Sequence, residues 1–360
     1  MPESTKSSLS DATLWAVILA GGAGSRFWPV STPQRPKQLL PLGRGTSLIG
    51  DTVERLLPLV SAERVRILTG DHLARPLLQQ TGLTEEQLMV EPEAKGTAPV
   101  LAWAAHTIVQ RDPDAVMASL HSDHVIRPAA EFRNQLQLAA NLARGEARLI
   151  TFGVAPTRPE TGFGYIRAGK RLGDGEPEVY EVAQFVEKPT RETAGDFVRR
   201  GYLWNSGIFV WPAQLFLDEL KVTSPRLGEL LPLLDEGRVT DFFARAPIVS
   251  VDEAVLEKSK RVAVLPTHFE WDDVGAWDAV GRTRPADAQG NVTVGQTALV
   301  DASNCIAWSE DGAIVLFGVQ DLVVVRTGGV TLVAARDRTP ELKSLLKQLP
   351  RSLRDLSANE

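Results

Sequence analysis

The 360-residue sequence predicts an α/β protein whose main domain has a doubly wound, mostly parallel sheet, followed by a small C-terminal β domain. In the first half of the chain, short continuous apolar runs alternate with segments whose apolar residues recur at helical spacing. Such runs are typical of strands buried in a parallel sheet that helices cover on both faces. Beyond a composition break at residues 283–290, short apolar strands separated by turns replace this alternation and indicate the second domain.

The elements of the first half follow from this alternation. Continuous apolar runs predict strands over 15–20, 64–69, 88–91, 115–120 and 148–154. Helical spacing predicts helices over 46–59, 97–110 and 128–144. Thr97 is expected to cap the second of these helices, with Pro99 in the first turn, where proline is tolerated.

The rest of the chain departs from strict alternation. Strands over 163–168 and 179–186 flank a glycine-rich turn at 173–175, which predicts an antiparallel insertion beside the main sheet. A strand over 208–211 and helices over 212–220 and 252–258 follow. After the break, strands are predicted over 292–294, 298–300, 314–317, 322–325 and 330–333, with a closing helix over 340–349. These patterns divide the chain into a disordered tail (1–13), a main domain (14–285) and a small β domain with a terminal helix (286–360).

Composition limits the classes of function. The net charge of −6 argues against a nucleic-acid-binding protein, which would usually carry a basic surface. Cys305 is the single cysteine, so an intrachain disulfide is impossible, and it is interpreted as a small buried apolar residue. The apolar run after the polar N-terminal tail is too short for a signal peptide or a membrane span. We therefore expect a cytoplasmic protein that binds neither nucleic acid nor membrane.

One glycine-rich stretch predicts a polyphosphate site. Leu19-Ala20-Gly21-Gly22-Ala23-Gly24 ends the first strand, and glycines allow backbone N–H groups to converge on an anion. Arg26 and Lys37 add two positive charges beyond the loop. No Lys-Ser/Thr pair follows the glycines, which excludes the phosphate loop, and Phe27 stands where a dinucleotide fingerprint needs its third glycine. The alternative interpretation is a tight turn beside two solvated cations.

Two acidic segments are candidates for a metal site. Asp123 follows the strand over 115–120, at the carboxyl end where open parallel sheets bind ligands. Asp272 and Asp273 stand between two tryptophans, an unusual composition for a surface turn. Carboxylates suit Mg²⁺ when water and phosphate oxygens complete its coordination, and no spaced set of histidines and cysteines suggests zinc. The alternative is that Asp123 only caps a turn, and the two histidines beside it are interpreted as structural.

These motifs together resemble the signature of the sugar nucleotidyltransferase family. The stretch from Leu19 to Arg26 and the triplet Pro36-Lys37-Gln38 carry the resemblance, and further matches extend to about Trp277. Phe27-Trp28-Pro29 is similar to the branch of the family that uses GTP and mannose 1-phosphate. The resemblance implies a Rossmann-like nucleotidyltransferase fold with a short left-handed β-helix-like module at the C-terminal end, and a homodimer.

The resemblance also implies an activity and a role for particular residues. The implied reaction transfers GMP from GTP to α-D-mannose 1-phosphate and gives GDP-mannose and pyrophosphate, with Mg²⁺ held by Asp123 and Asp273. The implied catalytic residues are Arg26, Lys37 and Lys188. The implied nucleotide-binding residues are Leu19, Ala20, Gly21, Gly22, Gly24, Thr97 and Ser122, and the implied sugar-phosphate-binding residues are Gly162, Glu187, Lys188 and Asn205.

One departure from the family pattern leaves alternatives open. Lys95-Gly96 stands where the family has Arg-Asn, so neither side chain can accept a hydrogen bond from N1 or N2 of guanine. We therefore expect backbone groups of the glycine loop, and others near Thr97, to select guanine. The alternatives are a nucleotidyltransferase for another hexose 1-phosphate or base, and a regulatory subunit that binds nucleotide sugars without turnover. The small β domain is expected to carry no catalytic residue.

Overall fold

The structure is a computed structural model that describes residues 13–22, 24–43, 46–173 and 177–354. The predicted disordered tail lies outside the described residues except for Thr13, as do Ala23, most of the turn predicted at 173–175, and residues 355–360. The strands are β1 (Leu14–Leu19), β2 (Val65–Thr69), β3 (Leu88–Val90), β4 (Val116–His121), β5 (Val125–Arg127), β6 (Leu149–Val154), β7 (Gly164–Arg171), β8 (Tyr180–Glu187), β9 (Leu203–Pro212), β10 (Val262–Pro266), β11 (Glu270–Asp272), β12 (Val292–Val300), β13 (Ile306–Phe317), β14 (Leu322–Thr327) and β15 (Val330–Ala335). The α-helices are α1 (Leu48–Leu56), α2 (Asp71–Thr81), α3 (Thr97–Val109), α4 (Ala129–Gly145), α5 (Arg191–Arg199), α6 (Ala213–Thr223), α7 (Pro225–Gly228), α8 (Pro232–Asp235), α9 (Val239–Arg245), α10 (Val280–Thr283), α11 (Leu342–Leu346) and α12 (Arg351–Arg354).

The main sheet has nine strands in the order β3-β2-β1-β4-β9-β6-β10-β8-β7. Strands β1 to β4 pair in parallel, and so do β6 and β10. Side chains of β1 alternate between two apolar cores: Val17 packs in the cluster that contains Trp211, and Ile18 in the cluster that contains Phe132. Because apolar helices cover both faces, the predicted doubly wound α/β fold is confirmed.

The second half of this sheet is mixed. Strand β9 runs antiparallel between β4 and β6, and it begins five residues earlier than the predicted 208–211, so that it includes Asn205. Strands β7 and β8 form the predicted antiparallel pair, but they extend the edge of the main sheet instead of forming a separate insertion. The far edge therefore brings Glu187, at the end of β8, towards Asn205.

The expectation that Thr97 caps helix α3 is wrong. Gly96 is the cap, with φ +85, and Thr97 is the first helical residue. The Thr97 hydroxyl accepts a hydrogen bond from the Val251 N–H (2.8 Å), so the side chain joins α3 to a distant segment instead of closing the helix end. A Cβ on Gly96 would lie 2.5 Å from the Val249 carbonyl oxygen, which explains the glycine at this position.

The C-terminal β module shares a core with the main domain. Strands β12, β13 and β14 are parallel and β15 is antiparallel, and the two strands predicted at 292–294 and 298–300 form one bulged strand. Trp308 on β13 packs in one apolar cluster with Phe27, Trp28 and Trp277 of the main domain. The domain boundary after residue 285 stays a prediction. The closing helix is shorter than predicted, because a 3-10 turn (Arg336–Glu341) precedes α11.

Two inferences from composition have structural counterparts. Cys305 is fully buried in a small apolar cluster of the C-terminal module, which confirms its interpretation as a small buried apolar residue. Across the described ranges, no helix combines the length and the apolar character needed to cross a membrane.

Candidate active site

The predicted site residues converge at the carboxyl ends of β1 and β4, where three adjoining cavities share His121 as a lining residue. The glycine-loop pocket (310 Å³) is lined by Leu19, Ala20, Gly21, Gly22, Thr97 and Ser122. The central pocket (350 Å³) is lined by Gly24, Arg26, Lys37, Asp123 and Asp273. The Glu187 pocket (310 Å³) is lined by Gly162, Glu187, Lys188 and Asn205. The structure thus brings every residue predicted for the site to one of three adjoining cavities.

Hydrogen bonds from neighbouring elements fix the start of the glycine loop. The Leu19 carbonyl accepts from the Ser122 N–H (3.0 Å). The Ala20 carbonyl accepts from Gln38 Nε2 and from Thr69 Oγ1, both at 3.2 Å. The Ala20 carbonyl therefore has both lone pairs engaged by protein donors, whereas the Leu19 carbonyl has one donor.

Lys37 lies between the two predicted metal-binding aspartates. Its Nζ donates to Asp123 Oδ2 (2.8 Å) and to the Asp273 carbonyl oxygen (2.5 Å), and its side chain is 9% exposed. Gly24 has φ +60, and a Cβ there would lie 2.2 Å from the Lys37 Cβ, so only glycine lets the loop pass this close. The loop and the two carboxylates are therefore arranged around one ammonium group.

The two aspartates differ in protonation behaviour. Burial by itself would raise the pKa of Asp123, but Lys37 and the neighbouring histidines hold that pKa well below its usual range. Burial raises the pKa of Asp273 to about 6, although Lys37 opposes the shift. Both side chains are therefore mainly carboxylates at neutral pH.

The two histidines beside Asp123 are packed against it. Their ring centroids are 4.8 Å apart, and Trp271 Nε1 donates to His124 Nδ1 at 3.1 Å. Burial lowers the pKa of both His121 and His124, so both rings are neutral at pH 7. One potential ligand atom from each histidine and one from Asp123 lie within 4.8 Å of one another. The hydrogen bond of His124 agrees with its structural interpretation, whereas His121 faces all three cavities.

Asp272 and Asp273 have separate surroundings. Asp272 accepts two hydrogen bonds from Arg282 (2.7 and 3.2 Å) and one from the Val274 N–H (2.8 Å). Val274 has φ +47, which is unusual for a β-branched residue. The hydrogen bonds of Asp272 thus stabilise a turn whose backbone is strained at Val274, whereas Asp273 lines the central pocket. This arrangement favours Asp273 over Asp272 as a ligand.

A charged pair stands at the mouth of the Glu187 pocket. Lys188 Nζ lies 2.5 Å from Glu187 Oε1, and the Lys188 side chain is 65% exposed. Lys188 has φ +46, and its N–H donates to the Phe163 carbonyl (3.2 Å). A non-glycine residue with positive φ is often found where a side chain must be aimed at a ligand.

A buried network orients Asn205 in the same pocket. Asn205 Oδ1 accepts from Thr151 Oγ1 (3.0 Å), and Asn205 Nδ2 donates to Asp252 Oδ1 (2.9 Å). Burial raises the pKa of Asp252 to about 6, and the nearby Glu187 adds to the shift. Asp252 lines the pocket but was not predicted from the sequence, where it looks like an ordinary acidic residue at the start of a helix.

Comparison with known proteins assigns the family. The family model described as "Nucleotidyl transferase" matches residues 15–290, and the model described as "MannoseP isomerase/GMP-like beta-helix domain" matches residues 295–349. The chain belongs to the nucleotidyl transferase family. The second match confirms the expected β-helix-like module at the C-terminal end.

Individual relatives narrow the assignment of this nucleotidyl transferase. The mannose-1-phosphate guanylyltransferase of Escherichia coli is 36% identical over 353 residues, which are 95% of this chain and 75% of the relative. The protein of the same name from Klebsiella pneumoniae gives the same identity and coverage. The crystal structure of mannose-1-phosphate geranyltransferase from Thermus thermophilus has a TM-score of 0.86 and 32% identity, and covers 93% of this chain and 99% of its own. The chain is thus an enzyme of the transferase class, with relatives among the mannose-1-phosphate guanylyltransferases.

The central pocket of this nucleotidyl transferase fits a hard divalent cation. Asp123 and Asp273 supply carboxylate oxygens, which such cations prefer. The ammonium group of Lys37 already occupies the space between these residues as a stand-in cation. The residues present are therefore compatible with the divalent metal that the family generally uses.

Sequence reasoning also missed Glu91 in the glycine-loop pocket. A Cβ on Gly21 would lie 3.7 Å from Glu91 Oε1, and among the described residues the Glu91 carboxylate has no hydrogen-bond or ion-pair partner. Burial raises the pKa of Glu91. Lys95, by contrast, pairs with Glu93 (2.9 Å) and does not line this pocket. The available sequence signal is that Glu91 begins the segment from Glu91 to Pro99, which resembles the base-reading segment of the family.

Proposed function

We propose that this nucleotidyl transferase transfers GMP from GTP to α-D-mannose 1-phosphate. A phosphate oxygen of the sugar phosphate attacks the α-phosphorus of GTP, the bond from that phosphorus to the oxygen that bridges to the β-phosphorus breaks, and pyrophosphate leaves. The attacking oxygen is already anionic, so no protein nucleophile is needed. Support comes from one observation above all: in a chain whose relatives include enzymes named mannose-1-phosphate guanylyltransferase, three adjoining pockets that share His121 contain all the predicted site residues.

Each pocket has a role in this proposal. The glycine loop, Thr97 and Ser122 hold the nucleotide, while Arg26 and Lys37 neutralise the leaving pyrophosphate. Lys188 holds the attacking phosphate, and the remaining residues of its pocket take sugar hydroxyls. These residues are Gly162, Glu187 and Asn205. Catalysis then consists of positioning and charge neutralisation.

Mg²⁺ would be held by Asp123 and Asp273, and when bound it would neutralise phosphate charge near the reacting phosphorus. A metal ion on Asp123 would require Lys37 to change its contacts. Lys37 gives up its contact with Asp123 and donates to the phosphates instead, for which its flexible stem is suited.

Guanine selection is proposed to depend on Glu91 in addition to the backbone. Guanine presents two neighbouring donors, N1–H and N2–H, and a carboxylate is the side chain that accepts from both. The Ala20 carbonyl is engaged by two donors and the Leu19 carbonyl by one, whereas Glu91 offers a carboxylate without a hydrogen-bond or ion-pair partner among the described residues. The alternative is that backbone groups of the glycine loop and near Thr97 select guanine without Glu91.

A homodimer is also proposed. On the C-terminal module, Val315 and Phe317 of β13 are 69% and 72% exposed, and Val300 lies beside Phe317 on the edge strand β12. An exposed apolar patch of this kind often marks an association surface. The cytoplasmic location stays a prediction.

One experiment separates the candidate functions. The protein is incubated with each nucleoside triphosphate and each hexose 1-phosphate, and released pyrophosphate is measured. The proposal expects GTP with mannose 1-phosphate to give the highest kcat/KM. A different best pair would support the alternative substrates, and GTP binding without pyrophosphate release from any pair would support the regulatory subunit.

A further inference from the structure

The central pocket is built from both parts of the chain. Gly22, Gly24, Arg26 and Lys37 of the main domain line it, and so does Lys343 on helix α11 of the C-terminal module. No residue of the C-terminal module is among the predicted site residues, and the expectation that this module carries no catalytic residue stays a prediction. Helix α11 lies far along the chain from the glycine loop, so no sequence motif connects the two.

Packing fixes helix α11 at this place. Leu342 is 3% exposed and belongs to the same apolar cluster as Phe27, which directly follows Arg26. The preceding 3-10 turn also interlocks with the main domain, because a Cβ on Gly281 would lie 2.0 Å from Arg336 Nη2. Leu342 anchors the helix, and the exposed side chain of Lys343 is thereby held at the rim of the pocket.

The other charges that line the central pocket suggest that Lys343 binds an anion. Asp123 and Asp273 add negative charge to the pocket, and part of the charge of Lys37 is offset by its contacts with them. Even when Lys37 turns to the phosphates, Arg26 is the one other main-domain cation among the described lining residues. Arg26 and Lys343 form no ion pair with any described residue, and both face the cavity. A bound triphosphate carries several negative charges, and lysine binds phosphate as a mobile point charge.

We propose that Lys343 binds the β- and γ-phosphates of the nucleotide, and the pyrophosphate formed from them, so that the C-terminal module supplies one cation of the active site. The inference rests on the proposed function for the identity of the nucleotide. The test of the inference requires only that a polyphosphate binds in the central pocket, whatever nucleotide carries it. The α-phosphate and the sugar phosphate are left to residues of the main domain.

The test compares Lys343→Met, which keeps the apolar stem and removes the charge, with Lys343→Arg, which restores a charge. Lys347→Ala is the matched control, because Lys347 directly follows α11, is exposed, and does not line the pocket. Calorimetry measures the affinity for pyrophosphate and for GTP in the presence of Mg²⁺. Steady-state assays measure KM for GTP, for pyrophosphate in the reverse reaction, and for mannose 1-phosphate.

Lys343→Met should weaken pyrophosphate and GTP binding about 10-fold, the order expected for one exposed charge-assisted hydrogen bond, with KM for mannose 1-phosphate unchanged. Lys343→Arg should recover most of the loss, and Lys347→Ala should bind like the wild type. Unchanged pyrophosphate affinity in Lys343→Met, or an equal loss in Lys347→Ala, would overturn the inference. If the wild type releases no pyrophosphate from any substrate pair, the proposed function fails, but the calorimetric comparison still decides the role of Lys343. Equal melting temperatures of the three variants exclude a folding defect as the cause.

Discussion

Replacing Glu91 with glutamine is the most direct test of how the base is selected. The Glu91 carboxylate lies at the glycine loop with no described partner, so in the proposed complex it accepts from both N1–H and N2–H of guanine. Hydrogen bonds to a charged group contribute about 1.5–3 kcal/mol each. Glu91→Gln keeps one acceptor oxygen but turns an amide donor towards a guanine donor.

We therefore expect a loss of about 2–3 kcal/mol for GTP, which is about 30- to 150-fold in kcat/KM. The kcat/KM for ATP should fall little, because adenine N1 is a hydrogen-bond acceptor and gains nothing from the Glu91 carboxylate in the wild type. ITP, which lacks the N2 amine, should be a poorer substrate than GTP for the wild type and nearly equal to GTP for the variant. The assay is pyrophosphate release at pH 8, because burial raises the pKa of Glu91 and an alkaline pH favours its carboxylate form.

Glu93→Gln is the control, because Glu93 is two residues away, pairs with Lys95 and does not line the pocket. If Glu91→Gln keeps the GTP-over-ATP preference of the wild type, the base is read by the backbone as first expected. An equal loss in Glu93→Gln would show that the effect comes from the segment as a whole.

Three further predictions concern the other pockets and the surface. Asp252, whose pKa is raised to about 6, protonates as the pH falls through 6 and then accepts more weakly from Asn205 Nδ2, the proposed sugar-binding amide. KM for mannose 1-phosphate should therefore rise more steeply below pH 6 in the wild type than in Asp252→Asn; parallel profiles would mean that only the substrate phosphate titrates. Lys188→Ala should raise KM for mannose 1-phosphate about 10-fold and leave KM for GTP within a factor of two, since one charge-assisted contact is lost; equal defects against both substrates would contradict its assignment to the sugar phosphate. Phe317→Asp should convert the proposed dimer to a monomer in light scattering, because a charge would replace an exposed apolar side chain; an unchanged mass would remove this patch from the interface.

The parts of the site that could be predicted from sequence are those encoded within a few neighbouring residues. The glycine loop and Asp123 each directly follow a continuous apolar strand, and the ends of parallel strands meet at one sheet edge. Lys37 was predicted because a family triplet surrounds it. These residues meet in space because the strands that carry them, β1 and β4, are direct neighbours.

The residues that were missed depend on contacts between distant segments. Asp252 contacts Asn205 in the Glu187 pocket because β9 runs antiparallel through the middle of the sheet and carries Asn205 there. Lys343 lines the central pocket because the shared core around Phe27 holds helix α11 there. Thr97 was assigned to a cap because its hydroxyl suits that role, but the tertiary contact with Val251 uses the hydroxyl instead. Local propensity carries no information about such partners.

The position of Lys37 leads to a last prediction, about metal binding without nucleotide. Its Nζ is hydrogen-bonded to Asp123 Oδ2 at 2.8 Å, so a divalent cation that binds Asp123 and Asp273 must first displace it. Giving up a charge-assisted hydrogen bond costs about 1.5–3 kcal/mol when no other acceptor is offered. Lys37→Met should therefore bind Mn²⁺ about 10- to 100-fold more tightly than the wild type in the absence of nucleotide, as measured by electron paramagnetic resonance of free Mn²⁺.

The measurement is made at pH 8, because loss of Lys37 raises the pKa of both carboxyl groups. In the wild type, GTP offers its phosphates to Lys37, so GTP should strengthen Mn²⁺ binding more in the wild type than in the variant. Both proteins should nevertheless retain a site, since the carboxylates are intact. Equal Mn²⁺ affinities without nucleotide would mean that Lys37 does not compete with the metal, and that its contact with Asp123 persists in the metal-bound enzyme.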